Sequence, residues 1–186
     1  MRGTMMDFPL VLPVLLERAG KVLGDVEIVS YRPDKSATRA TFKEFHRRAR
    51  QLSKALTKLG LQSGDRVGCL MWNHDTHLEA FFGVPCAGGI LHPLNLRLHP
   101  PEIAKIVNHA EDRFLIVDDV LLPLYEKFCD AVKFEKVIVV PSGRRSLRDG
   151  SLPDAFVFVE AIPRTSVGKF KKIAVREQFG GWKWQA

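Results

Sequence analysis

The chain is poor in the features that stabilise secreted proteins or cross membranes. It has 3 cysteines among 186 residues, an odd number without C-x-x-C spacing, so we expect reduced thiols and a cytoplasmic protein. The apolar run over residues 8–16 is interrupted by two prolines and follows an aspartate rather than a basic cluster, which argues against a secretion signal. No segment reaches the roughly 20 apolar residues of a membrane span, so we expect no transmembrane segment.

Patterns that hold metals or phosphates are also missing. His74 and His77 lie three residues apart, but no carboxylate or thiol completes a ligand set at convincing spacing, so we favour a structural role and expect no metal. Neither residues 83–89 nor residues 143–168 contain a glycine-rich turn with Lys-Ser/Thr at phosphate-binding spacing. The sequence therefore predicts no phosphate loop of the common kind.

Positive charge is in excess, with a formal net charge of +7. Such a charge suits nucleic acids, nucleotides or anionic membranes as partners. Many of the basic residues fall in one predicted helix: Lys43, Arg47, Arg48, Arg50 and Lys54. Because no aromatic residues alternate with them, we favour a solvated helix face and expect no nucleic-acid partner.

The first 140 residues alternate amphipathic helical patterns with short apolar runs. We predict helices over residues 7–23, 42–59, 75–87, from Pro100 onward and over 121–132, and strands over residues 27–31, 67–72, 90–94, 114–117 and 137–140. Thr41 and Glu44 have the spacing of a capping box at a helix start. Apolar strands that alternate with helices predict an α/β fold whose parallel sheet is covered on both faces.

The last 45 residues depart from this alternation. Residues 142–151 are polar, basic and bounded by glycines, which is typical of a linker. Residues 152–186 hold one predicted strand, a loop and one predicted helix, too little to bury a core of their own. We therefore predict three parts: residues 1–141 as the α/β part, 142–151 as a junction and 152–186 as a carboxy-terminal remnant.

The loop of this remnant closely resembles the carboxy-terminal signature of the adenylate-forming acyl-CoA synthetases, the AMP-binding superfamily. Its sequence is Pro163-Arg164-Thr165-Ser166-Val167-Gly168-Lys169. The resemblance implies that Lys169 is the catalytic residue, which contacts the substrate carboxylate and the α-phosphate. It also implies that the other motif residues shape the adenylate loop: Pro163, Arg164, Thr165, Ser166 and Gly168.

The amino-terminal part is similar to the same superfamily, most of all to its long- and medium-chain fatty-acyl members. The similarity lies in residues 40–67, 73–85, 91–98 and 102–112, in the family's order. It implies the amino-terminal subdomain of the adenylate-forming fold, a partial parallel sheet flanked by helices. It also implies ATP, magnesium and CoA as co-reactants and a fatty acid as substrate, activated as acyl-adenylate before CoA displaces AMP.

The family's long middle is absent, including its triphosphate loop and its adenine and ribose segments. In an adenylate-forming reaction one cation such as Lys169 contributes about 3–4 kcal/mol, whereas positioning of the substrates contributes roughly 7–11 kcal/mol. We therefore expect an internally deleted synthetase that is inactive alone. Two alternatives stay open: an interaction module that self-associates or binds a full-length synthetase, and a deletion product without a selected role.

Overall fold

The computed structural model describes residue 9, residues 11–31 and residues 37–141. These residues form two compact units. The first unit contains the described residues up to 65 together with 73–91, and the second contains 66–72 together with 92–141. The predicted α/β class is confirmed, because both helices and a parallel sheet are present.

The described elements follow the predicted alternation closely. The helices are α1 Leu12–Val22, α2 Phe42–Lys58, α3 Asp75–Cys86, α4 Pro100–Ala110 and α5 Leu122–Tyr125, and the strands are β1 Glu27–Tyr31, β2 Ala37–Thr41, β3 Arg66–Leu70, β4 Ile90–Pro93, β5 Phe114–Asp118 and β6 Lys136–Val140. Within residues 9, 11–31 and 37–141, no helix combines the length and the apolarity that a bilayer crossing requires.

The first unit is built from α1, α2 and α3 with the antiparallel ribbon of β1 and β2. The predicted capping box starts α2: the Glu44 N–H donates to Thr41 Oγ1 at 3.2 Å, and the Thr41 N–H donates to Glu44 Oε2 at 2.8 Å. These bonds satisfy two backbone donors that the first helical turn leaves free. Leu16 and Phe45 are buried between the helices, and Phe82 meets the Phe45 ring edge-on at 5.3 Å.

The sheet has the strand order β4-β3-β5-β6. β3, β5 and β6 are parallel, with Val67 opposite Phe114 and Phe114 opposite Lys136. Every residue of β5 is buried, as expected for a central strand that is covered on both faces. Ile103 and Val107 of α4 pack into the same core as Leu115 and Val117.

The predicted helix over residues 121–132 is wrong in extent. α5 has four residues, and single 3₁₀ turns lie at Asp119–Leu121 and Cys129–Ala131. The N–H groups of Lys127 and Phe128 bond three residues back rather than four, which tightens the chain and ends the helix. Tyr125, Phe128 and Cys129 all reach the core this way, so core packing overrides the helical pattern.

Two further differences lie in the first unit. α1 begins at Leu12 rather than at residue 7, because Val11 is extended and Pro13 occupies the first turn, where proline is tolerated. β2 was not predicted: its sequence, Ala-Thr-Arg-Ala-Thr, has no apolar alternation. Its pairing with β1, rather than its own composition, makes it a strand.

Candidate functional site

The residues that the resemblance assigns to the adenylate loop lie outside the described part of the chain. They are Lys169, Pro163, Arg164, Thr165, Ser166 and Gly168. Their roles therefore stay predictions. Among the described residues, candidate chemistry is found in a cleft of the first unit and in buried ionisable groups of both units.

The cleft lies between β1 and the start of α3 and has a volume of about 570 Å³. Val29 and Phe81 give it apolar walls, and Ser30, Asp75 and His77 supply polar groups. The Ser30 Oγ accepts a hydrogen bond from the Asp75 N–H at 3.3 Å, which ties the strand to the helix start. No lysine or arginine lines the cleft in the described residues, so the cleft offers a phosphate no cation.

His74 and His77 serve the start of α3. His74 is the N-cap, and its Nδ1 accepts from the His77 N–H at 3.4 Å. The His77 ring packs against Phe81 with centroids 5.5 Å apart. In the described part of the chain, no three His, Cys, Asp or Glu side chains are grouped so as to hold a metal ion. The pair has the capping and packing role that a histidine at a helix start can fill.

A buried ion pair joins α2 to α3. Arg48 Nε lies 2.6 Å from Glu79 Oε1, with the two side chains 14% and 10% exposed. Burial raises the pKa of Glu79 to about 7, against the lowering effect of Arg48 and with a further raising effect of Asp75. The prediction that Arg48 belongs to the solvated basic face is wrong. On a helix, Arg48 lies only about 60° from the buried Phe45, a signal that could have revealed it.

In the second unit the parallel strands β3 and β5 end at the same edge of the sheet, the usual place for ligands in such sheets. Asp118 is buried there at 1% exposure and accepts from the Trp72 N–H at 2.8 Å. Burial raises the pKa of the nearby Cys69 thiol to about 12, and Asp118 adds to the shift. Cys69 is therefore a neutral thiol at physiological pH and not an activated nucleophile.

A second buried carboxylate belongs to Asp112. His92 Nδ1 lies 2.9 Å and 2.8 Å from its two oxygens, and the carboxylate is fully buried. Burial raises the pKa of Asp112, against the lowering effect of His92. Gly68 makes room for the pair, since a Cβ there would lie 3.1 Å from Asp112 Oδ2. The carboxylate fixes the orientation of the imidazole.

His46, like His92, has a carboxylate partner. His46 Nε2 lies 2.9 Å from Glu17 Oε1, between α2 and α1. The partners are 20 and 29 residues apart along the chain. Only the tertiary fold brings them together, so no local spacing could have found them.

Comparison with known proteins gives one matching family model, described as AMP-binding enzyme, over residues 16–166. The chain is 47% identical over 138 residues to the long-chain-fatty-acid–CoA ligase of Thermus thermophilus, which covers 74% of this chain and 26% of the relative. It is 40% identical over 144 residues to the 3-methylmercaptopropionyl-CoA ligase of Ruegeria lacuscaerulensis, a match that covers 77% of this chain and 27% of the relative. The medium-chain-fatty-acid–CoA ligase of Ectopseudomonas oleovorans is 34% identical to the chain over 162 residues, a match that covers 87% of this chain and 30% of the relative.

Comparison with solved structures also finds CoA ligases. The anthranilate CoA ligase AuaEII, in complex with anthranoyl-AMP, matches with a TM-score of 0.63 and 31% identity, over 72% of this chain and 26% of that one. A fatty acyl CoA synthetase of Mycobacterium tuberculosis has the same fold, with a TM-score of 0.61 and 22% identity. The match covers 70% of this chain and 26% of that one. The chain spans between a quarter and a third of the length of the three curated relatives named above.

Proposed function

The chain belongs to the AMP-binding enzyme family, and we propose that it is a portion of a fatty-acyl-CoA ligase. The observation that carries the proposal is the family match over residues 16–166 together with relatives that act on long- and medium-chain fatty acids. The proposed reaction joins a fatty acid to CoA through an acyl-adenylate, with ATP and magnesium. The odd number of cysteines, without C-x-x-C spacing, favours the cytoplasm as the proposed compartment.

We propose further that this chain does not form acyl-CoA by itself. It matches less than a third of each of these ligases, and the sequence contains no phosphate loop of the family type. The described cleft has no cation along its walls. Lys169 therefore lacks the groups that would hold the nucleotide beside it, and positioning contributes more to such a reaction than one cation does.

A ligase assay tests this proposal. The purified chain is incubated with palmitate, ATP, magnesium and CoA, beside the Thermus thermophilus relative as a positive control and the Lys169→Ala variant as a matched control. We expect acyl-CoA from the relative and none from either form of this chain. Turnover by the wild-type chain that disappears in Lys169→Ala would show that the chain is an enzyme as it stands.

Titration calorimetry with a non-hydrolysable acyl-AMP mimic examines the binding step separately from the chemistry. We expect no stoichiometric heat from this chain with a palmitoyl analogue. Tight uptake at one site would contradict the proposal even without turnover. Were the palmitoyl analogue taken up, comparison with an anthraniloyl analogue would decide whether the acyl preference is fatty or aromatic.

A second candidate function is association with a copy of the chain or with a full-length synthetase. It is favoured by the sheet order, because β4 and β6 have one neighbouring strand each in the described residues, and unpaired edges readily accept a further strand. Analytical ultracentrifugation of the chain, alone and mixed with the Thermus thermophilus relative, tests it. A well-folded monomer without affinity for the relative would exclude this function.

A further inference from the structure

The cleft between β1 and the start of α3 has no part in the proposed ligase chemistry. Its volume of about 570 Å³ lies within the range of small-molecule sites, roughly 300–1,000 Å³. Its described walls come from residues 28–31 and from residues between 73 and 81, all of which belong to the first unit. The cleft is therefore a feature of one compact unit.

Three large side chains that line the cleft keep much of their surface in water. Tyr31 is 75% exposed, Phe81 is 43% exposed and Val29 is 39% exposed. Their apolar surface gains free energy when a ligand replaces the water against it. Two of the three are aromatic rings, and the face of an aromatic ring attracts a cation. The walls therefore favour a ligand with an apolar body, and they tolerate a positive charge on it.

A single carboxylate supplies the formal charge of the described cleft walls. Asp75 is the first residue of α3, and its side chain is 23% exposed. Its Oδ1 accepts from the Thr76 N–H at 3.0 Å and lies 3.8 Å from His74 Nδ1. Within the part of the chain that the structure describes, both contacts are made by Oδ1. The second oxygen, Oδ2, therefore remains available to a ligand.

Two positive features close to the cleft do not cancel this charge. The N-terminus of α3 is equivalent to roughly half an elementary charge, which is less than the full charge of the Asp75 carboxylate. The Arg48 guanidinium lies 2.6 Å from Glu79 Oε1, and above the pKa of Glu79, about 7, the two charges balance. An ammonium group in the cleft is therefore attracted, whereas a second carboxylate is repelled.

We propose that this cleft binds small molecules in which an aromatic or other apolar body carries a protonated amine. The ammonium group would lie beside Asp75 Oδ2, and the apolar body would contact Phe81 and Val29. Fatty acids and acyl-adenylates are anions, so the cleft would reject them. The inference therefore goes beyond the proposed ligase function, because it assigns a separate site with the opposite charge preference.

An NMR titration of the full, isotope-labelled chain tests the proposal through its backbone amide signals. The probes are phenethylamine, phenethyl alcohol and hydrocinnamate, which share a phenyl ring and carry a positive charge, no charge and a negative charge. The titrations are run at about pH 8, where imidazoles are ordinarily neutral. Asp75→Asn removes the charge and keeps the oxygen that accepts from the Thr76 N–H. Asp25→Asn removes the same charge from an exposed side chain outside the cleft and is the matched control.

We expect phenethylamine to shift the amide signals of residues 28–31 and 73–81, phenethyl alcohol to bind roughly fivefold more weakly, and hydrocinnamate to bind most weakly. Asp75→Asn should remove the preference for the amine over the alcohol, and Asp25→Asn should keep it. Phe81→Leu should weaken the binding of both by roughly threefold. The amide spectrum of each variant shows whether it is folded. Because no ATP, CoA or fatty acid is present, these results are independent of the ligase assay.

Four outcomes would overturn the proposal. A wild-type chain that binds none of the probes has no ligand site of this kind in the cleft. Equal binding of the amine and the alcohol would exclude a role for the Asp75 charge. Equal losses in Asp75→Asn and Asp25→Asn would assign the preference to the net charge of the chain. Tighter binding of hydrocinnamate than of phenethylamine would identify an anion site instead.

Discussion

The two units bury charge in different ways. In the first unit Glu79 on α3 meets the Arg48 guanidinium on α2, so a carboxyl group and a permanent cation share one buried site. In the second unit Asp118 accepts from a backbone N–H of Trp72, and Asp112 accepts from an imidazole. In the second unit a backbone N–H dipole and an imidazole therefore stabilise the buried carboxylates, whereas in the first unit a guanidinium does so.

The difference follows from the elements that each unit is made of. Two adjacent helices can each extend a long side chain, so arginine and glutamate reach each other between them. A strand end presents short side chains and backbone N–H groups, which match an aspartate. Because an ion pair fails when either member is lost, whereas a backbone donor cannot be deleted, the units should respond unequally to substitution.

The largest effect is expected from Glu79→Leu in the first unit. It leaves the buried Arg48 guanidinium without the carboxyl oxygen that lies 2.6 Å from its Nε, which should lower the free energy of unfolding by about 3–5 kcal/mol. The double variant Arg48→Met/Glu79→Leu removes both charges and should recover most of that loss. Urea unfolding followed by circular dichroism measures both. A double variant that stays as unstable as Glu79→Leu would show that the loss does not come from the unpaired guanidinium.

The second largest effect is a pH dependence of the free energy of unfolding, which arises from Glu79 of the same pair. Burial raises the pKa of Glu79 from 4.5 to about 7, so the folded chain holds this proton more tightly than the unfolded chain does. Its contribution to stability is complete below about pH 4.5 and is lost as pH rises through about 7, amounting to about 3 kcal/mol at most. The groups acting on it are Arg48, Asp75 and His74.

Urea unfolding at a series of pH values measures this slope. The matched variant is Glu79→Gln, which cannot titrate and should flatten the curve over that interval. The pKa of Asp112 is also raised by burial, so the second unit adds a slope of the same sign, and the difference between wild type and Glu79→Gln isolates the contribution of Glu79. An identical slope in both proteins would assign the pH dependence elsewhere.

In the second unit the expected effect is smaller. Asp118→Leu leaves the Trp72 N–H without its 2.8 Å acceptor and should cost about 1–3 kcal/mol. Asp118→Asn keeps an oxygen at that place and should cost less. Urea unfolding compares the two variants with Glu79→Leu. If Asp118→Asn costs as much as Asp118→Leu, the charge rather than the acceptor is what the second unit requires.

Sequence patterns were sufficient where the signal is local. The apolar run of β5 and the Thr41–Glu44 spacing each specify their structure within a few residues, and both were predicted. Sequence patterns failed where the residues that determine an element are distant along the chain. β2 is a strand because β1 pairs with it, and the helix predicted over residues 121–132 is broken so that its apolar residues reach the core.

The buried charges show the same limit more sharply. Arg48 stands among other basic residues and was assigned to the solvated face, although its neighbour Ala49 is fully buried. Asp112 and His92 belong to different elements, and neither carries a local pattern. The family resemblance identified the scaffold correctly but placed its catalytic residue, Lys169, in residues that the structure does not describe.

The smallest effect concerns the helix starts, where the units differ again. α2 begins with both halves of a capping box, whereas the bond that begins α4 runs from the His99 N–H to Glu102 Oε2 at 3.1 Å, beside two prolines. Thr41→Ala should therefore cost about 1 kcal/mol, and Thr41→Ser should cost little because it keeps the hydroxyl. Glu102→Ala should cost less than Thr41→Ala, since proline already fixes the first turn of α4. Urea unfolding of the three variants measures these losses in the free energy of unfolding. A greater loss from Glu102→Ala would mean that α4 depends on its side-chain cap as much as α2 does.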